Sequence, residues 1–393
     1  MTTALEHLRA LVAINSFTNY REGVLECGRY CEERMFAPLG FSTERIQPDV
    51  PTHGDHLFFE RAGPTPIILV AHLDTVYPRE QELADDFAWR EEDGRVFGPG
   101  TADIKGGIVA IWLALRLLRD ESPALFEANG FKVFLNASEE GGCADFPVLA
   151  RERVPADARA ALVYEAGMEH EEGTTFVQAR KGCGRFRMDV TGREAHSGND
   201  HRKGANAIRE LARRVEQIES LTDYERDITF TVGTVAGGTA VNCVPSHATC
   251  QIDLRIWTPE DYAWGREQLM ALNGEGSVVS ADDGARTHVS VAEMPGYPPW
   301  PQNPESQSLS DLVVETGAAL GQPLVPTQRR GGSDAAHLYD VVPTVDGLGP
   351  VGRNSHCSTN DPATGREQES IDRISLEMRA RLSTELMRRL LSL

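Results

Sequence analysis

Residues 66–74 read Pro66-Ile-Ile-Leu-Val-Ala-His-Leu-Asp74. A short, unbroken apolar run of this kind is what a strand buried on both faces requires, and such strands belong to parallel sheets covered by helices. Two comparable runs follow, Phe131-Lys-Val-Phe-Leu-Asn-Ala137 and Ala160-Ala-Leu-Val-Tyr164. Between the first and second, Lys105 to Leu118 reads as a helix opened by Gly106-Gly107. Upstream, Leu5, Leu8, Leu11 and Val12 have helical spacing. Strands alternating with helices predict βαβ units, hence an α/β fold with a mostly parallel sheet.

The middle of the chain reads differently. Phe186 to Val190, Ile228 to Val235 and Thr249 to Ile256 alternate in polarity, as half-buried strands do. Ala205 to Ile218 and Pro259 to Leu272 are helix-like. This pattern predicts an inserted α+β, ferredoxin-like domain with one solvated sheet face. Pro295-Gly-Tyr-Pro-Pro-Trp-Pro301 reads as a connector, after which βα alternation resumes and Ser370 to Leu393 closes the chain as a helix. The expected organisation is a discontinuous catalytic domain, 1–180 plus 294–393, interrupted by an insert at 181–293.

Composition narrows the function. The 393 residues carry 39 basic and 59 acidic side chains, a net charge of −20. Binding to nucleic acid relies on neutralising phosphates with Lys and Arg, so no nucleic-acid partner is expected. No apolar run approaches the ~18 residues that span a bilayer, and no membrane partner is expected either. Met1 to His7 lack a basic stretch followed by an apolar one, and the seven cysteines (27, 31, 143, 183, 243, 250 and 357) are odd in number and scattered. Free thiols in a reducing, cytoplasmic compartment are the expectation.

Ligands of open α/β sheets gather beyond the carboxyl ends of the strands. His72-Leu-Asp74 follows the first apolar run. Asp103 lies between the turn Phe97-Gly-Pro-Gly100 and the helix from Lys105. Glu139-Glu140 follows the second run and Glu165 the third. His356 follows Thr344-Val-Asp-Gly-Leu348 and a glycine-rich turn. Taken singly, each has an ordinary reading: a solvated loop histidine, a surface glutamate pair, an N-cap aspartate. Together, two histidines and three carboxylates form an N/O donor set suited to Zn²⁺, Co²⁺ or Mn²⁺. Five ligands are too many for one open tetrahedral zinc and suit two ions sharing a carboxylate. Of the adjacent Glu139 and Glu140, one can ligate while the other acts as base, and Asp74 is within reach to orient His72. Phosphate-cradling loops, a Gly-x-Ser-x-Gly elbow and a His-Glu-x-x-His helix are not found.

These elements resemble the M20 family of dinuclear zinc peptidases and amidohydrolases, most of all its glutamate carboxypeptidase branch. The resemblance is carried by His72-Leu-Asp-Thr-Val76, Gly98-Pro-Gly-Thr-Ala-Asp-Ile-Lys-Gly-Gly107 and Ser138-Glu-Glu-Gly141. It continues in Arg180-Lys-Gly182, Gly192-Arg-Glu-Ala-His-Ser-Gly198, Lys203-Gly-Ala-Asn-Ala-Ile208 and Gly238-Thr-Ala-Val-Asn242. It implies that His72 and Glu165 bind one metal, Glu140 and His356 the other, and that Asp103 bridges them. It also implies Glu139 as general acid/base, Asp74 as the orienter of His72, and the insert as a lid that forms a homodimer. Within that lid, His196 would serve a second copy's oxyanion, while Asn242 and Arg255 would contact substrate, Arg255 as a carboxylate clamp. Gly331, Gly332 and Ser333 form a turn that the family places near the substrate carboxylate and that by itself reads as an N-cap turn.

Two departures stand out. The family pattern puts Glu four positions after the last histidine, where this chain has Asn360. The segment after Glu165, Ala-Gly-Met-Glu-His-Glu-Glu-Gly, lacks the basic residue of glutamate-specific members. The expected activity is release of a C-terminal amino acid from a peptidyl or N-acyl substrate. N-deacylation, desuccinylation or aminopeptidase action is the alternative within the family, and a non-catalytic binding protein on the same fold the remote one.

Overall fold

The computed structural model describes residues 3–64, 66–142 and 144–392; Met1, Thr2, Thr65, Cys143 and Leu393 lie outside the described residues. Contacts divide the chain into two units, one of residues 1–179, 302–329 and 333–393, the other of 180–301 and 330–332.

The first unit is built on a six-stranded sheet in the order Ser42–Ile46, His56–Arg61, Phe131–Asn136, Ile67–His72, Ala160–Val163, Thr344–Val345. The last four strands are mutually parallel and the first two antiparallel. Every residue of Ile67–His72 is buried, as its continuous apolar run requires. Helices Ala4–Ala13, Gly106–Glu121 and Arg373–Ser392 contribute Leu8, Leu11, Ile108, Leu115, Leu382 and Leu386 to the same core. Asp103 is not the N-cap of the second helix. It lies in the irregular stretch Thr101–Lys105, and the helix begins at Gly106. The glycines there allow close approach: a Cβ on Gly107 would stand 2.3 Å from the Tyr164 carbonyl. The helix therefore starts directly against the end of the strand that leads to Glu165.

The second unit has a five-stranded antiparallel sheet, ordered Thr229–Gly237, His247–Ile256, Gly182–Thr191, Arg286–Tyr297, Gly274–Val279. Helices Ala207–Glu219 and Pro259–Met270 connect it in the chain order β-α-β-β-α-β-β, a ferredoxin-like unit with one added strand, and their Leu211, Ile218 and Leu269 pack with Phe186, Met188, Ile252 and Leu254. Burial alternates along Gly182–Thr191, in keeping with one covered face. The boundary expected at 293/294 falls inside a strand, where Glu293 and Met294 pair with Phe186 and Arg185. The proline-rich stretch is likewise more than a connector: Pro295 to Tyr297 complete that strand, and Trp300 bridges to Arg180. Pro can occupy strand positions where its missing N–H faces no acceptor.

No helix among the described residues is long and apolar enough to cross a membrane. The six described cysteines form no disulfide.

Candidate metal centre

The first unit brings all five expected ligands together. Strand Ile67–His72 ends with His72, whose Nε2 lies 3.0 Å from Asp103 Oδ1 and 3.7 Å from Glu165 Oε1. His356 Nε2 lies 2.9 Å from Glu140 Oε1 and 3.2 Å from Asp103 Oδ2. Two groups result, His72–Asp103–Glu165 and Asp103–Glu140–His356, each offering ligand atoms within 4.8 Å of one another. Asp103 belongs to both, with one oxygen directed to each histidine.

The electrostatics of this set fit divalent cations. Burial and the neighbouring Asp103 push the Glu140 carboxyl up to about 8, and the same causes push Glu165 well above the carboxylate range. Burial also acts to raise Asp103, but hydrogen bonds from His356 and His72 outweigh it and hold its carboxyl low. Hydrogen bonds to Asp103 and Glu140 raise the His356 imidazole to about 11. Three carboxylates that compete for two histidines form a site whose unmet charge positive ions would balance.

Asp74 does more than orient His72. The His72 Nδ1–H donates to the Asp74 carbonyl at 3.0 Å, while the Asp74 carboxylate stands off at 3.4 Å. That carboxylate instead accepts the backbone N–H of Glu139 (3.0 Å) and Glu140 (3.2 Å) and the Thr18 hydroxyl (2.7 Å). It thereby holds the turn that carries both glutamates.

Two residues at the centre escaped the sequence reading. Thr18 lies far upstream in an unremarkable loop and gives no signal there. Glu369 is fully buried, and its Oε1 accepts the N–H groups of Ala102 and Asp103 at 2.8 and 3.1 Å. Its Oε2 accepts from the Tyr77 hydroxyl at 2.6 Å. The family pattern places a carboxylate four residues after His356. That place holds Asn360, whose side chain accepts from the Gln368 N–H and so ties down the intervening loop. The signal missed was Glu369-Ser-Ile, an acid opening the strand Ser370–Asp372 just before the closing helix.

The remaining expected residues are less uniform. Ser333, in the first unit, is buried; its hydroxyl donates to Asp346 at 2.7 Å and accepts from the Ala335 N–H at 3.3 Å, an N-cap role. His196, Asn242, Arg255, Gly331 and Gly332 belong to the second unit. His196 is exposed, and its Nδ1 accepts the N–H groups of Gly198 and Asn199 at 3.1 Å each. That tautomer leaves Nε2–H as an outward donor. The Ser197 N–H donates to the Asn242 carbonyl, which keeps His196 and Asn242 adjacent. Arg255 lies at the end of strand His247–Ile256, one residue before its last, and its guanidinium is engaged by Asp253 (2.7 Å), the Cys183 sulfur (2.6 Å) and the Arg330 carbonyl (3.3 Å). The Gly331 and Gly332 carbonyls accept from Arg180, each at 3.1 Å.

Residues 68–379 match the model of peptidase family M20/M25/M40. The chain is 26% identical to carboxypeptidase G2 of Pseudomonas sp. (strain RS-16), over 97% of this chain and 89% of that one. It is 24% identical to succinyl-diaminopimelate desuccinylase of Janthinobacterium sp. (strain Marseille), over 91% and 93%. Its fold is similar to that of the M20 metallo-carboxypeptidase Sso-CP2 from Sulfolobus solfataricus, with a TM-score of 0.73 over 100% of each chain at 15% identity. With a family match across most of its length, the chain is a hydrolase belonging to peptidase family M20/M25/M40.

Proposed function

We propose that this hydrolase is a dinuclear metal-dependent carboxypeptidase that cleaves an amide bond to release a C-terminal amino acid. The observation that carries the reading is Asp103, whose two oxygens face two separate histidine–carboxylate groups. His72 and Glu165 would hold one ion, Glu140 and His356 the other, with Asp103 between them; the N/O donors suit zinc best, with cobalt or manganese as alternatives. Bound ions of this kind polarise a substrate carbonyl and acidify the attacking water.

Glu139 sits beside Glu140 on the turn that Asp74 anchors. In this reading its carboxylate takes the water proton and returns it to the leaving amine. The His196 Nε2–H donates to the developing oxyanion, at the site of a neighbouring copy in a homodimer formed through the second unit. Asn242 and the turn Gly331 to Ser333 line the substrate, and Arg255 binds its carboxylate after exchanging its present partners. The unpaired thiols suit a cytoplasmic location.

The test is metal content per chain together with hydrolysis of N-acyl-glutamate before and after chelation. About two ions per chain and chelator-sensitive release of glutamate would support the whole proposal. Two ions without glutamate release would keep the centre and move the search to other acyl-amino acids, a direction supported by the similarity to desuccinylases and by the acidic stretch Glu169–Glu172, which holds no lysine or arginine for a glutamate side chain. No ion after zinc reconstitution would overturn the reading. Glu139→Gln is expected to lower kcat by about 10²- to 10⁴-fold while both ions remain bound.

A further inference from the structure

Glu165 stands where the chain changes sheets. Ala160–Val163 belongs to the six-stranded sheet, whereas Ala166–Gly167 pairs with Gly349–Arg353 in a five-stranded sheet of the same unit. The neighbouring strand Thr344–Val345 crosses in the same way, through Asp346, Gly347 and Leu348. At such a crossing a backbone N–H has left one ladder and not yet entered the next, and a partner must come from elsewhere. The Asp346 side chain supplies it: Oδ1 accepts the Glu165 N–H at 3.3 Å and also that of Gly347. The Glu165 carbonyl accepts from the Gly349 N–H at 2.9 Å, so both backbone groups of this residue are tied to the second crossing segment. The two segments lie close: a Cβ on Gly349 would stand 2.4 Å from the Tyr164 carbonyl and 2.8 Å from that of Glu165.

Asp346 is fully buried, and its Oδ2 accepts from the buried Ser333 hydroxyl at 2.7 Å. The arrangement repeats a device found twice elsewhere in the centre. Asp74 accepts the N–H groups of Glu139 and Glu140, and Glu369 accepts those of Ala102 and Asp103. In each case a buried carboxylate outside the donor set holds the backbone of a residue inside it. Hydrogen bonds to a charged acceptor are the stronger kind, and groups behind a ligand tune its hold on a metal. Glu165 belongs to the His72 group alone, whereas Asp103 belongs to both. We propose that Asp346 is the positioning residue of Glu165: braced by Ser333, it fixes the Glu165 backbone at the crossing and sets the affinity of the His72–Asp103–Glu165 group for its ion. The Ser333 hydroxyl then acts on the metal centre through Asp346 and not on the substrate. The inference rests on the two-ion reading above.

The experiment is a titration of metal-free protein with cobalt in competition with a chromogenic chelator, resolving two binding steps, in the wild type, Asp346→Ala, Asp346→Asn and Ser333→Ala. Thermal unfolding of each metal-free protein runs beside it. Asp346→Ala is expected to weaken one step by about 10- to 100-fold and to leave the other within about twofold. Asp346→Asn keeps the size and an acceptor oxygen but loses the charge, and should weaken the same step by about fivefold; it carries the test if Asp346→Ala does not fold. Ser333→Ala should shift that step by a smaller factor. A residue that served the fold alone would lower the Tm of the metal-free protein and move both steps together or neither, and either result would overturn the proposal. Wild-type protein that binds no cobalt would overturn the two-ion reading and this inference with it, a failure distinct from variants that bind as the wild type does.

Discussion

The two ligand groups share Asp103 and otherwise differ. His72 is 1% exposed and closes a strand buried along its whole length, paired with strands on both sides. Its Nδ1 is fixed by the Asp74 carbonyl. His356 has a side chain 51% exposed and sits in a loop with φ +64°, close to Asn354 at +56°. Non-glycine residues rarely adopt that left-handed conformation, so the loop, not a sheet, aims the second imidazole. One half of the centre is thus part of the core, and the other is added from the surface. Asp103 joins them, which places the most sensitive point at the shared ligand.

The largest effect follows from that sharing. Asp103→Ala should remove both ions and bring hydrolysis to background, read by metal analysis and by product release. Retention of one full equivalent would show that the two groups are independent and would break the comparison at its root.

The two histidines should then separate in stability. In metal-free protein, His72→Ala is expected to cost about 2–3 kcal/mol, since it breaks a buried hydrogen-bonded network. His356→Ala should cost about 1 kcal/mol or less, because its partners lie at a solvated edge. Denaturant melts of both variants decide the matter. Equal losses would mean that the loop of His356 is as much a part of the fold as the strand of His72.

The same contrast governs what could be read in advance. The apolar run ending at His72, the alternating strands Gly182–Thr191 and His247–Ile256 of the second unit and the glycines that open helix Gly106–Glu121 each impose a local pattern, and each is found where that pattern put it. A buried strand must be apolar, so its sequence discloses it. The surroundings of the ligands were less legible, because they rest on contacts between distant segments. Glu369 reaches the Asp103 backbone past a loop whose length no local rule sets. Thr18 meets Asp74 from another part of the chain. Arg255 shows the opposite failure: a suitable side chain can be recognised, but its engagement by Asp253 and the Cys183 sulfur appears only in three dimensions.

Glu369 links both halves, for its carboxylate holds the Asp103 backbone and its own N–H donates to the Cys357 carbonyl beside His356. Glu369→Gln keeps an acceptor oxygen but loses the charge that the two N–H groups of Ala102 and Asp103 face. Metal affinity is expected to fall by about 10- to 100-fold, as for other partners behind a ligand. Competition titration with a chromogenic chelator measures it. An unchanged affinity would reduce Glu369 to a structural tie between loops.

The smallest effect belongs to Thr18. Thr18→Val removes one of the donors to the buried Asp74 carboxylate and leaves the two backbone N–H groups of Glu139 and Glu140 in place. The loss of one such hydrogen bond is worth about 1 kcal/mol. If it loosens the glutamate turn, it should appear as a roughly fivefold lower kcat with KM nearly unchanged. The His72 side should be spared, because the His72 imidazole is oriented by the Asp74 carbonyl, which Thr18 does not touch. Metal content should therefore stay at its wild-type value while turnover falls. A loss of metal without a change in the turnover of the fully loaded protein would reverse the assignment, making Asp74 chiefly the orienter of His72 and leaving the turn to hold itself.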